Sequence, residues 1–208
     1  MDGTSSLQGT TPSMTQTGDF LIAIVALETA PGHGNASSAT FTEPMGWTQR
    51  NVTFSGMDLA VGIFTKLAVA GDADGGANYT WSFNDSYRAS IEMENFGKIG
   101  GTPVGFGPTC TPTTLSSSIT APGMTTVPNN TLNVAIWVSA SDQVPTPPAA
   151  YTAGFEAGVG PTGGAVGPLP SFSWVVVPMS GTMTGDQVAT ITVPTDNIGC
   201  QINLSPDP

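Results

Sequence analysis

Any chemistry in this chain would have to be built from few parts. The only histidine, His33, lies in the turn PGHGN at 31–35 with a glycine on each side, which reads as a solvated loop position. A Ser-His-Asp triad would have to run through it, and neither Cys110 nor Cys200 has a base near it in sequence to generate a thiolate. Glu92 and Glu94 alternate along one apolar run and read as solubilising residues on its outer face. Asp72-x-Asp74-Gly75 has the opening of a calcium loop but lacks the closing acidic ligand, so an ion there stays an open question. One histidine and two distant cysteines cannot form a tetrahedral zinc set. The sequence therefore argues for no catalytic residue, no metal and no cofactor, and for a chain that is not an enzyme.

The aromatic residues suggest binding or packing instead. Phe64 and Trp137 fall on the outer faces of alternating runs, where rings could anchor a protein interface or stack on a sugar. Trp47 and Tyr151 each follow a proline-containing turn and are read first as plugs at the end of a core.

These residues need strands to carry them. Among 208 residues, 26 Gly and 18 Pro with 9% charged residues imply short strands and many turns rather than long amphipathic helices. The run DFLIAIVAL at 19–27 is echoed by LNVAIWVSA at 132–140. Around these, Leu7 and Ile119 share the 112-residue offset of Phe20 and Leu132, Ile91 is matched to Ile202 at 111, and Trp47 to Tyr151 at 104. The fold class expected is all-β: a jelly-roll-like β-sandwich built from two internally repeated halves, 5–97 and 117–206, joined by a linker at 98–116. Residues 1–17 are expected to form an N-terminal arm or edge strand, and 18–208 one sandwich. The Gly/Pro-rich insert at 156–170 is expected to be a contact element.

The first copy is apolar on both faces, whereas a sandwich strand needs only one. Leu21, Ala23, Val25 and Leu27 therefore form a flank that must be covered, by the N-terminal segment or by another subunit. With Phe64 and Trp137 they are the candidate interface residues.

A balance of 4 basic against 15 acidic residues, −11 in all, disfavours nucleic acid and anionic membrane, and the four cations are scattered. The N-terminus lacks the pattern of a signal peptide. Cys200 reads as a small core residue, and pairing with Cys110 is left open. Six N-x-S/T triplets are read as chance matches.

The motifs GDFLIAIVA at 18–26, PMGWT at 44–48, LAVGIFTKLAVAGDA at 59–73, YTWSF at 79–83 and ASIEMENFGKI at 89–99 resemble a diffuse family of tailed-phage virion structural proteins. PPAAYT at 147–152 and ATITVPTDNIGCQINLSP at 189–206 resemble the second half of such proteins. The resemblance implies a β-sandwich and a non-enzymatic virion role. That role would be a capsid decoration or cement protein, made in the host cytoplasm and placed on the capsid surface. Its partners would be the major capsid protein and further copies of itself, as a homotrimer. The alternative is a tail or fibre component that binds a host receptor or glycan through Trp47 or Trp137.

Overall fold

Two antiparallel sheets packed face to face make up most of the described residues. The computed structural model describes residues 3–97, 108–124, 131–140, 143–149, 151–153, 167–177 and 184–204, with backbone alone for 152–153 and 169–177. The first sheet contains β1 (Thr4–Thr10), β2 (Phe20–Thr29), β3 (Phe41–Thr42), β4 (Thr48–Ser55), β5 (Leu59–Leu67) and β6 (Asn78–Phe96). Its order is β1-β6-β2-β5-β4, with β3 also paired to β6. The second contains β7 (Thr109–Ala121), β8 (Thr131–Ser139), β9 (Thr152–Ala153), β10 (Leu169–Val177) and β11 (Gln187–Leu204), in the order β7-β11-β8-β10-β9. The all-β sandwich expected from the sequence is the fold observed.

The two sheets follow one plan. Replacing β1, β2, β4, β5 and β6 by β7, β8, β9, β10 and β11 turns the first strand order into the second. Registers agree as well. Phe20 pairs Phe96 as Leu132 pairs Leu204, Leu7 pairs Trp81 as Ile119 pairs Ala189, and Gln49 pairs Phe64 as Ala153 pairs Ser173. These pairs keep the offsets of 112 and 104 inferred above but give 108 for β6 to β11, so the matching of Ile91 to Ile202 is corrected to Ile91 with Gly199. A slip of three residues moves every side chain of a strand to its other face. Accordingly Ile91 lies in the core outside the first sheet and Ile202 in the core between the sheets.

Three cores account for the pattern. Between the sheets, Phe20, Ile22, Ile24, Ala26, Leu59, Val61 and Ile63 meet Val134, Ile136, Val138, Ile198, Cys200, Ile202 and Leu204. A second core lies on the far side of the first sheet and a third on the far side of the second. Strand β6 explains how. Its residues 87–96 pair with β2, while 78–87 pair with β1 and β3, so the 19-residue strand runs out of the flat sheet and brings Trp81, Phe83 and Tyr87 over the outer face of β2 and β5. The 18-residue β11 does the same against β7 and β8. The runs 79–83 and 88–96 thus belong to one strand, as do 188–193 and 199–204, and part of the expected linker, from Thr109 on, is strand β7.

This geometry corrects the candidate interface. Leu21, Ala23, Val25, Leu27 and Phe64 are fully buried in the second core, and Trp137 is fully buried in the third. The chain covers its own oily flank with Trp47, Trp81, Phe83, Tyr87 and the short 3-10 turn Ala36–Ser38, while Leu7 of β1 packs at the margin. The rings meet edge-on or tilted, as their quadrupoles favour: Trp47 to Trp81 at 5.2 Å, Phe64 to Trp81 at 5.8 Å, Trp137 to Tyr151 at 5.8 Å.

Each edge crossing needs a missing Cβ, supplied from opposite strands in the two halves. In the first, a Cβ on Gly9 of β1 would fall 2.8 Å from the Cδ1 of Ile91 on β6. In the second, Ala121 of β7 is retained and the glycine is Gly199 of β11, where a Cβ would fall 2.4 Å from the Thr120 carbonyl oxygen.

Candidate functional site

One polar cluster is gathered at the end of the first sheet where β5 and β6 are joined. Strand β5 delivers Lys66 near its end, the 3-10 turn Ala70–Gly75 delivers Asp72, and the start of β6 delivers Tyr79. Lys66 Nζ and the Tyr79 hydroxyl donate to the two carboxylate oxygens of Asp72, and Val69 N donates to Oδ2 at 2.7 Å. Lys66 Nζ also lies 5.0 Å from the Tyr79 ring centre, and Tyr79 meets Trp47 edge-on at 5.5 Å. Asp72 is wholly buried and Lys66 nearly so. Burial pushes the Asp72 carboxyl up, but the bonds from Lys66, Tyr79 and Val69 outweigh it and hold the group below its usual range. Burial likewise pulls Lys66 down, and its bond to Asp72 more than restores it. The result is a closed ion pair.

That pair anchors three loops. Thr11 Oγ1 donates to the Asp72 carbonyl at 3.1 Å, Asp74 N to Thr15 O at 3.0 Å, and Gly18 N to Ala68 O at 2.9 Å, while Trp47 N closes its turn on Pro44 O at 3.1 Å. On these loops and the adjoining end of β5 stand Met14, Met45, Leu67 and Val69, exposed by 80%, 94%, 49% and 55%. The calcium-loop alternative at Asp72 and Asp74 gains nothing from this geometry. Both Asp72 oxygens are taken by internal donors, Asp74 points outward from a left-handed backbone with φ 55°, and among the described residues no group of three or more His, Cys, Asp or Glu could hold a metal ion.

His33 does find a carboxylate: its Nδ1 lies 3.4 Å from Asp85 Oδ1 on β6. Asp85 is fixed there by Ser86 N at 2.7 Å and Gly34 N at 2.9 Å, bonds that lower its pKa, with His33 adding less. The hydroxyl of Ser38 in the neighbouring turn donates to the Asn35 carbonyl at 2.8 Å and not to His33. The pair ties a loop to β6.

In the second half the place of Leu21 is taken by Asn133. Asn133 donates to Asn203 Oδ1 at 2.8 Å and accepts from the Tyr151 hydroxyl at 2.5 Å, all three buried. Burial pushes the Tyr151 phenol up to about 12. Nearby, Gln201 donates to Ala121 O and Gly185 O, each at 3.0 Å, and accepts from Thr184 at 2.6 Å. Trp47 and Tyr151 thus serve as the core plugs expected of them, 5% and 7% exposed.

A further residue departs from its sequence reading. Glu92, expected on an outer solvated face, is 5% exposed between the sheets. Cys110 and Cys200, left undecided, form a disulfide across directly opposed positions of β7 and β11. The Lys66–Asp72–Tyr79 cluster was not anticipated; its one signal is a lone lysine inside the apolar run LAVGIFTKL. The contact insert expected at 156–170 lies mostly outside the described residues.

In comparisons with family models, with curated proteins and with solved structures, nothing matches this chain.

Proposed function

We propose that this chain is a non-enzymatic structural protein of a tailed-phage particle, a head decoration or cement protein that bridges subunits of the major capsid protein and associates with further copies of itself. One observation carries the reading: the exposed apolar side chains Met14, Met45, Leu67 and Val69 stand on loops, and on the adjoining end of β5, held by a buried ion pair, while the central strands of both sheets are buried on both faces. Such a block offers partners its preorganised loop end, and apolar groups on fixed loops bind without a large ordering cost. The acidic balance of −11 is compatible with a protein partner and not with a nucleic-acid one. The disulfide adds an expectation about timing. A chain made in a reducing cytoplasm would close Cys110–Cys200 after the particle is released.

The alternative of a receptor- or glycan-binding tail component rested on Trp47 and Trp137, and both are buried. The reading is tested by locating the protein in intact particles and by challenging particles that lack it with heat and osmotic shock. Occupancy of the capsid surface and weaker particles are expected. A tail location, or unchanged robustness, overturns it.

A further inference from the structure

Among the described residues, the joint between the sheets contains one buried acid without a hydrogen-bond partner. Glu92 of β6 is opposite Ile24 of β2, and directly paired residues share a face, so its carboxyl points with Ile24 into the inter-sheet core. Both of its oxygens are buried and without a hydrogen-bond partner. On the same face of β6, Ser90 donates to the carbonyl of Pro168, just before β10, so β10 is laid over this part of the sheet. The charged groups along that face are Glu94, opposite Ile22, and Arg88, opposite Glu28 of β2 with Nη1 3.9 Å from Glu28 Oε1. The β2 face otherwise offers Phe20, Ile22, Ile24 and Ala26, and β10, LPSFSWVVV, contains no titratable residue. Among the described residues no cation is thus placed at Glu92. In the second sheet the corresponding position, 108 residues on, is Cys200 of the disulfide. The joint has a covalent clamp at one of these two related positions and an ionisable acid at the other.

We propose that Glu92 is a pH-sensitive latch on the joint: as a neutral acid it is held between the sheets, and as a carboxylate it is driven toward water and loosens β10 from β6. Burial, with the charge of Glu94 behind it, pushes the Glu92 carboxyl up from 4.5 to about 9. The sign follows from linkage. Between those values the folded chain retains a proton that the unfolded chain has released, so stability is full below the lower value and is lost as pH rises toward the upper one. One proton of difference lowers the folding constant about tenfold per pH unit in that window.

The test compares the full chain with Glu92→Gln by denaturant titration from pH 5.5 to 8.5. The ratio of their folding constants is expected to fall about tenfold per pH unit, and a constant ratio overturns the proposal. If Glu92→Gln does not fold, the Glu92 side-chain carboxyl is followed by 13C NMR in the wild-type protein. A midpoint near 9 supports the latch, and a midpoint in the ordinary glutamate range overturns it. Amide exchange corrected for its intrinsic pH dependence gives the location. Protection should fall first in β10 and in residues 88–96, and a loss spread evenly over both sheets counts against a latch at this joint.

Discussion

Opening the Cys110–Cys200 bond should lower stability by an amount set by the chain it closes. The bond joins residues 90 positions apart, across β8, β9, β10 and the insert between β9 and β10. In the chain-entropy account a loop of that size restricts the unfolded ensemble by about 4–5 kcal/mol. At about 2 cal/mol/K of unfolding entropy per residue, a chain of this length has roughly 0.4 kcal/mol/K at its midpoint, so reduction should lower Tm by about 10 °C. The folded state should survive, because Cys200 remains inside the inter-sheet core and β7 keeps its ladder with β11. Differential scanning calorimetry with and without a phosphine reductant measures the shift, with alkylation and intact mass establishing that both thiols are free. The double variant Cys110→Ala/Cys200→Ala, which leaves no buried polar group behind, should reproduce it. A verified fully reduced protein with an unchanged Tm refutes the argument, since the clamp would then restrict nothing that the sheet does not already restrict.

Three further outcomes follow from named contacts. Asp72→Ala leaves Lys66 buried without its carboxylate and should destabilise by about 3–5 kcal/mol; in the wild type, where Asp72 is held below its usual range, the pair's stabilisation is present above the ordinary aspartate range, begins to fall as pH drops through that range and is gone once pH is below the lowered Asp72 value, so the gap between wild type and variant in urea titrations should close in acid. Trp137→Ala should cost about 3–5 kcal/mol, as for a core ring, whereas Met45→Ser should leave urea stability within about 0.5 kcal/mol and, on the proposed role, weaken attachment to particles in a co-sedimentation assay. Gly199→Ala should destabilise by more than Gly9→Ala, because the first Cβ meets the β7 backbone and the second the ends of the Met93 and Ile91 side chains; about 1–3 kcal/mol is the usual cost of overpacking, and thermal melts that reverse the order would contradict the crossing geometry.

The strands were legible because alternation and apolar runs are local signals: residues 20–27 and 132–139 announce themselves in any window. What lay beyond them was the path of β6 and β11. Alternation says which residues share a face but not what lies over that face, and a 19-residue strand that crosses from one layer to another reads locally as two short ones. The doubly apolar β2 was correctly seen to need a cover, yet its cover was already in hand as Trp81 and Phe83 of YTWSF. Glu92 was assigned to water for the same reason. Beside Ile91 and Met93 it looks like the polar half of an alternating strand, and only the second sheet, packed on that half, makes it buried. The Lys66–Asp72 pair joins residues six apart from the end of a strand to a 3-10 turn, and no periodicity encodes that.

Two sheets with cores on both sides leave a partner little choice of approach. A partner on the outer face of the central strands β2, β5 or β8 would have to displace Trp81 or Trp137, each fully buried, and exposing a ring of that size forfeits more than a small contact returns. Two of the sheet edges, β4 and β7, are guarded as well. Ser55 at the end of β4 donates to the Thr113 carbonyl of β7 at 2.8 Å, and β7 itself carries Pro112 and the left-handed Leu115 along its length, features that interrupt strand addition. Of the loop ends, one exposes Met14, Met45 and Val69 while the charges beneath them are paired. Partner binding and internal stability should therefore be separable in this protein. Changes at Met14 or Met45 should alter association with little effect on folding, and changes at Lys66 or Asp72, which set the loops, should alter both together.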